Sequence, residues 1–283
     1  MNLSWITLHN PVALWWLFLV FASVINIVAW TWTRLYLYKN ISILNFRFNK
    51  LIPENLIWFS AFYVFVCAYR SIFPKADVQR ICLFDNWLSS VFLGRTMATI
   101  GELCFIAQWA IVIRYLAIAT NEKKVERLSY YIVPIIMIAE CFSWFAVITT
   151  NYFGNSIEES LWTVTYILIV YSLAKLWPKF KDAFKYAIGI SIVFNLLYIF
   201  FMIFVDVHMY ITRLIQDTKD HKKYFGFIDG IIDLNTRWIV TYDINHWKTE
   251  IPWMSLYFSF AVLVSIGLCF IPLTKNKLEK HFK

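Results

Sequence analysis

The sequence predicts an all-α fold: a polytopic transmembrane bundle of seven helices, with the N-terminus outside and the C-terminus cytoplasmic. Three observations predict it. Of the 283 residues, 60% are apolar and only 16% are charged, against about 45–50% and about 25% in an ordinary soluble domain. The apolar residues gather into long runs of about 20, the length that crosses a bilayer. Lys and Arg are shared unevenly between the segments that join those runs. With a mean hydropathy of +0.59, a disordered chain, a fibrous chain and a soluble enzyme with one small core are excluded.

The cores of the seven runs are 13–33, 55–73, 93–113, 130–149, 158–177, 186–206 and 252–272. The first is read as a retained span. Residues 1–12 carry no Lys or Arg, and Val12–Trp32 is too long for the apolar region of a signal peptide. The longest polar segment, 214–250, is too short for a core of its own. The expectation is therefore one integral membrane domain over 1–283, with 214–250 as a candidate interfacial lid.

Orientation follows from the basic residues. Connections 1–2, 3–4 and 5–6 and the tail carry four each: Arg34, Lys39, Arg47, Lys50; Arg114, Lys123, Lys124, Arg127; Lys175, Lys179, Lys181, Lys185; and Lys275, Lys277, Lys280, Lys283. Against these 16, the other side has 9, and it holds eleven acidic residues against five. The basic side is expected in the cytoplasm, and a cell (inner) membrane is the expected location. The overall charge of +8 needs no nucleic acid; a basic face against anionic membrane lipid accounts for it. Trp15, Trp16, Trp32, Trp58, Trp177 and Trp253 fall near span ends, where an interfacial belt explains them, while Trp109 and Trp144 are deeper packing residues.

Of five cysteines, Cys67, Cys104, Cys141 and Cys269 fall in spans and Cys82 in connection 2–3. No C-x-x-C and no zinc-like Cys/His spacing occurs. Apolar packing is the plain reading of the embedded ones, and a Cys67–Cys82 bond is left open.

The chemistry lies in the polar groups inside spans, which are costly there and usually face the bundle interior. In span 3, Arg95 and Glu102 are seven apart and share a helical face; Gly101 and Gln108 share another. Ser90, Gly94 and Ala98 form a small-residue ridge that admits a neighbouring helix. Glu102 lies roughly 13 Å below the outer end of span 3, and Glu140 roughly 14 Å below that of span 4. Tyr166, Asn195, Tyr198 and Ser259 fall in the same outer half. The pattern predicts a polar layer lining a cavity open to the outside. There Glu102 and Glu140 are candidate catalytic residues, and Arg95, Gln108, Asn195 and Tyr198 candidate substrate-binding residues. Two carboxylates in low dielectric call for a compensating cation or for Arg95, which suits a general acid, a proton carrier or a metal ligand. The plain alternative is a buried Arg95–Glu102 bond beside a hydrogen-bonded Glu140.

Outside the spans, Lys75, Asp77, Arg80 and Asp85 precede span 3. Asp206, His208, Asp217, Asp220, His221, Asp229, Asp233, Asp243 and His246 lie between spans 6 and 7. A solvated loop accounts for most of these charges. Tyr224–Leu234 reads as an interfacial helix, a hairpin or a lid. Gly and Pro number seven each, and only Pro134 sits inside a span. The Gly/Pro-interrupted helices that mark transporter ion sites are missing, as are the metalloprotease, phosphate-loop and nucleophile-elbow motifs. No metal site and no cofactor is assigned. Three readings stay open: a protein that binds or processes a lipid-like substrate, a proton- or cation-coupled transporter, and a non-catalytic interaction or sensory subunit.

Overall fold

The computed structural model describes residues 5–7, 9–41 and 51–271. Arg47, Lys50, Pro272 and the four lysines of the tail lie outside the described residues. The chain is nearly all helical: α1 (Pro11–Ile41), α2 (Leu51–Ile72), α3 (Val91–Ala119), α4 (Lys123–Thr149), α5 (Tyr152–Leu176), α6 (Asp182–Phe201), α7 (His208–Lys219), α8 (Phe227–Thr236), α9 (Ile244–Trp247), α10 (Ile251–Leu256) and α11 (Val262–Leu268). Stretches of π-helix, Met202–Val207 and Tyr257–Ala261, join α6 to α7 and α10 to α11. Seven helical runs are long and apolar enough to cross a membrane, compatible with a multi-pass membrane protein. Five of them overrun the apolar cores read from sequence, because a helix does not end where hydrocarbon does; the second and seventh end at Ile72 and Leu268, inside the cores read as 55–73 and 252–272. Among the described residues the departure from helix is a three-stranded sheet of two-residue strands: β1 (Lys75–Ala76), β2 (Ile81–Cys82) and β3 (Ile239–Val240).

Residue contacts divide the chain into two units. The first comprises Met1–Phe105, Val147–Thr150 and Phe225–Cys269. Pro at the first position of α1 and the Asn10 side chain, which accepts from the Val12 amide, start the first helix. That helix packs on α2 and on the run from α10 to α11. Among the described residues, side-chain hydrogen bonds tie these helices together. Trp15 Nε1 donates to Ser255 Oγ, and Ser265 Oγ lies 3.1 Å from Ser60 Oγ. Asn26 Nδ2 donates to the Phe258 carbonyl at 2.9 Å, inside the π stretch. A π turn misaligns carbonyls from their usual helical donors, and a buried asparagine on the facing helix meets one of them.

At one end of this unit β1 pairs antiparallel with β2, and β2 parallel with β3. Arg80, in the turn between β1 and β2, has a left-handed backbone (φ 59°) and a buried side chain. Its Nε donates to Asp233 Oδ2 at 2.8 Å, Nη1 to the Asp77 carbonyl and Nη2 to the Val147 carbonyl. Lys75 is also fully buried, its Nζ donating to Tyr69 Oη, the Leu88 carbonyl and the Ser90 carbonyl. These two charges are not solvated loop residues, contrary to the sequence reading. A turn whose backbone partners are supplied by a distant strand can close over them. α8 enters this cap through Gly230, where a Cβ would come within 2.1 Å of the Ile148 carbonyl.

The second unit comprises Ile106–Ala146, Asn151–Tyr224 and Phe270–Lys283. α5 is started by Asn151, whose side chain accepts from the Phe153 amide, and packs on α6, the first π stretch and α7. α4 and α5 approach closely at Gly154, where a Cβ would stand 2.5 Å from the Phe142 carbonyl and 2.8 Å from Ala146 Cβ.

Candidate functional site

In the first unit, Arg95 and Glu102 form the buried pair expected from their spacing, with Nη2 2.8 Å from Oε2. The same unit places Tyr257, first residue of the second π stretch, edge-on to Tyr63 with ring centres 5.7 Å apart. Tyr63 stacks on Phe105 at 4.6 Å. Glu102 and Arg70 lie within electrostatic reach of both Tyr257 and Cys67. Arg70 is itself buried against the rings of Trp253 and Phe258, 3.9 Å from Asp77. Gly101 brings α3 against α2, since a Cβ there would stand 2.8 Å from Val66 Cγ1. Gly94 has another task than the helix approach read from sequence. A Cβ there would stand 2.3 Å from Lys75 Cδ, so the glycine makes room for the lysine. Cys67 and Cys82 are both buried and unbonded.

In the second unit, Glu140 of α4 lies beside a residue that the sequence reading missed. Glu158 of α5 is buried, and a carboxylate oxygen of each lies within 4.8 Å of the other. Asn155, one turn before Glu158, donates from Nδ2 to Glu158 Oε2 at 3.1 Å. Its Oδ1 is buried and meets no donor among the described residues. Ser143, one turn from Glu140, is also fully buried, and its hydroxyl has no partner among the described residues. The close approach at Gly154 brings these side chains together, because Asn155 follows that glycine and Glu158 lies one turn further. Two carboxylates, an amide oxygen and a hydroxyl make a set of hard oxygen donors, the kind that holds a proton or a hard metal ion.

A signal for Glu158 was present. Asn155, Glu158, Thr165 and Ser172 recur at spacings of three, seven and seven, and all are buried along one face of α5. Glu158 opens the core 158–177 read for the fifth span, and counting it among the eleven acidic residues of the outer side hid that face.

The other expected residues fall out as follows. Gln108 is fully buried in α3. Asn195 is buried but turned to its own helix, Nδ2 donating to the Ser191 carbonyl at 2.7 Å and lying 3.3 Å from Ser191 Oγ. Tyr198 packs its ring on Tyr166, centres 4.4 Å apart. No known protein family, curated protein or solved structure matches the chain.

Proposed function

We propose that this chain is a multi-pass membrane protein that binds a cation, either a proton or a metal ion, within the membrane, as a proton- or cation-coupled transporter does. The observation that carries the reading is the buried neighbourhood of Glu140 and Glu158 with the Asn155 amide oxygen. Ionisable groups inside spans mark ion pathways and proton relays more often than they serve packing. Carboxylates joined by neutral oxygens suit a small cation better than an organic substrate.

Glu102 is proposed to belong to the same polar layer, at matching depth on the preceding antiparallel span, with Gln108, Asn195 and Tyr198 as its neutral members. A lipid-like substrate would need Arg95 as the clamp for its head group. Arg95 already holds Glu102, so the ion-binding reading draws more support. The unequal sharing of Lys and Arg supports a single membrane domain with the N-terminus outside, the C-terminus cytoplasmic and a cell-membrane location.

Infrared difference spectra test the proposal. Exchanging acidic for alkaline buffer, or one cation for another, should move bands of buried carboxyl groups in the purified protein. Glu140→Gln and Glu158→Gln should each remove or shift them. Spectra that respond to neither proton nor cation would leave the polar layer structural, as in a non-catalytic interaction or sensory subunit.

A further inference from the structure

We propose that the connection between α5 and α6, with the groove beside it, is a binding site for one anionic phospholipid. The groove, of about 390 Å³, is lined by Trp177, Tyr186, Gly189, Ile190, Val193 and Phe194. That volume falls in the range of small-ligand sites. Every lining side chain is apolar or aromatic. From Tyr186 to Phe194 the groove follows α6 for eight residues, about 12 Å, so it takes the length of an acyl chain better than a compact solute.

The wall at its mouth is fixed. Trp177 Nε1 donates to the Lys185 carbonyl at 3.1 Å, and Lys185 Nζ sits 5.3 Å from the indole centre. Gly189 lies beside the indole, where a Cβ would stand in ordinary van der Waals contact with Trp177 Nε1 at 3.4 Å.

Charge supplies the second half of the recognition. Lys175, Lys179, Lys181 and Lys185 crowd this connection against one acid, Asp182. Lys179 is engaged by Glu122 at 2.8 Å. Lys185 lies over the Trp177 wall of the groove, and Lys181 is exposed one turn before it, at the N-cap of the 20-residue helix α6. Two ammonium groups and a helix N-terminus favour an anion, while the groove beside them favours hydrocarbon. A phospholipid with net negative charge satisfies both; a zwitterionic one satisfies only the groove. The helix is also placed for lipid, because just 17% of the most apolar window of Asp182–Lys219 is buried within the protein.

Native mass spectrometry of the detergent-purified full chain tests the site. The protein is incubated with equal amounts of phosphatidylglycerol and phosphatidylcholine, washed, and its retained lipid counted. The wild type should keep one phosphatidylglycerol several-fold over phosphatidylcholine. The Lys181→Gln, Lys185→Gln double variant should hold both lipids equally. Val193→Trp, which fills the groove, should hold neither, while Ile203→Trp on the exposed face of the π stretch behaves as wild type. Equal retention of the two lipids by the wild type, undiminished retention by Val193→Trp, or a protein dimer that excludes lipid would each overturn the proposal. Should Val193→Trp not fold, brominated phosphatidylglycerol should quench a component of the fluorescence that Trp177→Phe removes, and its absence would overturn the proposal as surely.

Discussion

Lys75 is held by three oxygens, none of them a carboxylate. Burial pulls its ammonium down from the ordinary 10.5 to about 7, with Asp77 opposing the shift. Between those values the unfolded chain holds a proton that the folded chain has released. Stability should therefore rise with pH from about 7 to 10.5 and level off above. Protection factors at the start of α3, taken against intrinsic exchange at each pH, should rise across that window, and Lys75→Met should remove that part of the dependence. A wild-type cap that loosens as pH rises, with Lys75→Met following it, would contradict this. At Arg95 and Glu102, replacing either alone with Leu strips a buried charge of its partner at 2.8 Å, a loss of about 3–5 kcal/mol, whereas replacing both is close to neutral. Thermal unfolding of the four proteins decides, and strictly additive effects would count against the pair. This pair was legible in the sequence because seven residues return a helix to the same face. Lys75 was not legible: its burial depends on Gly94, nineteen positions along the chain and beyond the 3-10 turn Trp87–Ser89, and on a strand pairing of two residues.

Short elements do more here than their length suggests. Arg80 ties the β1–β2 turn to α8 through Asp233, which also takes Arg237 one turn along its own helix. The two arginines differ in environment, one buried and the other about half exposed. Arg80→Leu should cost about 3–5 kcal/mol, because it removes the buried partner of Asp233 and the donor that the Asp77 and Val147 carbonyls share, and Arg237→Gln about 0.3–0.5 kcal/mol. Denaturant unfolding followed by the exposure of Trp247, fully buried beneath this cap, separates the two; equal losses would show that the buried contact is not special. Long helices were legible from apolar runs, whereas the apolar spacing of Tyr224–Leu234 left α8 open between a helix and a hairpin. The π stretches were not. Neither contains Gly or Pro, the residues by which a sequence usually announces an interrupted span, and the Asn26 side chain that meets the second lies on another helix. Glu158 was counted with the acids of the outer side for a related reason. Apolar content alone starts the fifth span at its hydrophobic core, whereas the Asn151 cap starts the helix six residues earlier.

At the scale of the whole molecule, the sharing of basic residues makes the sharpest test. Single cysteines placed at 218–222 should react with an impermeant reagent added outside intact cells, and cysteines at 123–127 only after the membrane is opened. The reverse pattern would invert the proposed topology. The helical run Asp182–Lys219 adds a further consequence. Its 38 residues reach about 57 Å at 1.5 Å per residue, while a hydrocarbon core is about 30 Å thick and a bilayer with its head groups about 40–45 Å. Standing upright, the run keeps its last two turns above the head groups; tilting draws their charges, Asp217 and Lys219 among them, toward the lipid. In the proposed membrane placement the helix would serve as a gauge of bilayer thickness. A thinner membrane lifts α7 clear and a thicker one pulls it down, so the protein is expected to sort to membranes whose depth leaves that amphipathic end at the water boundary.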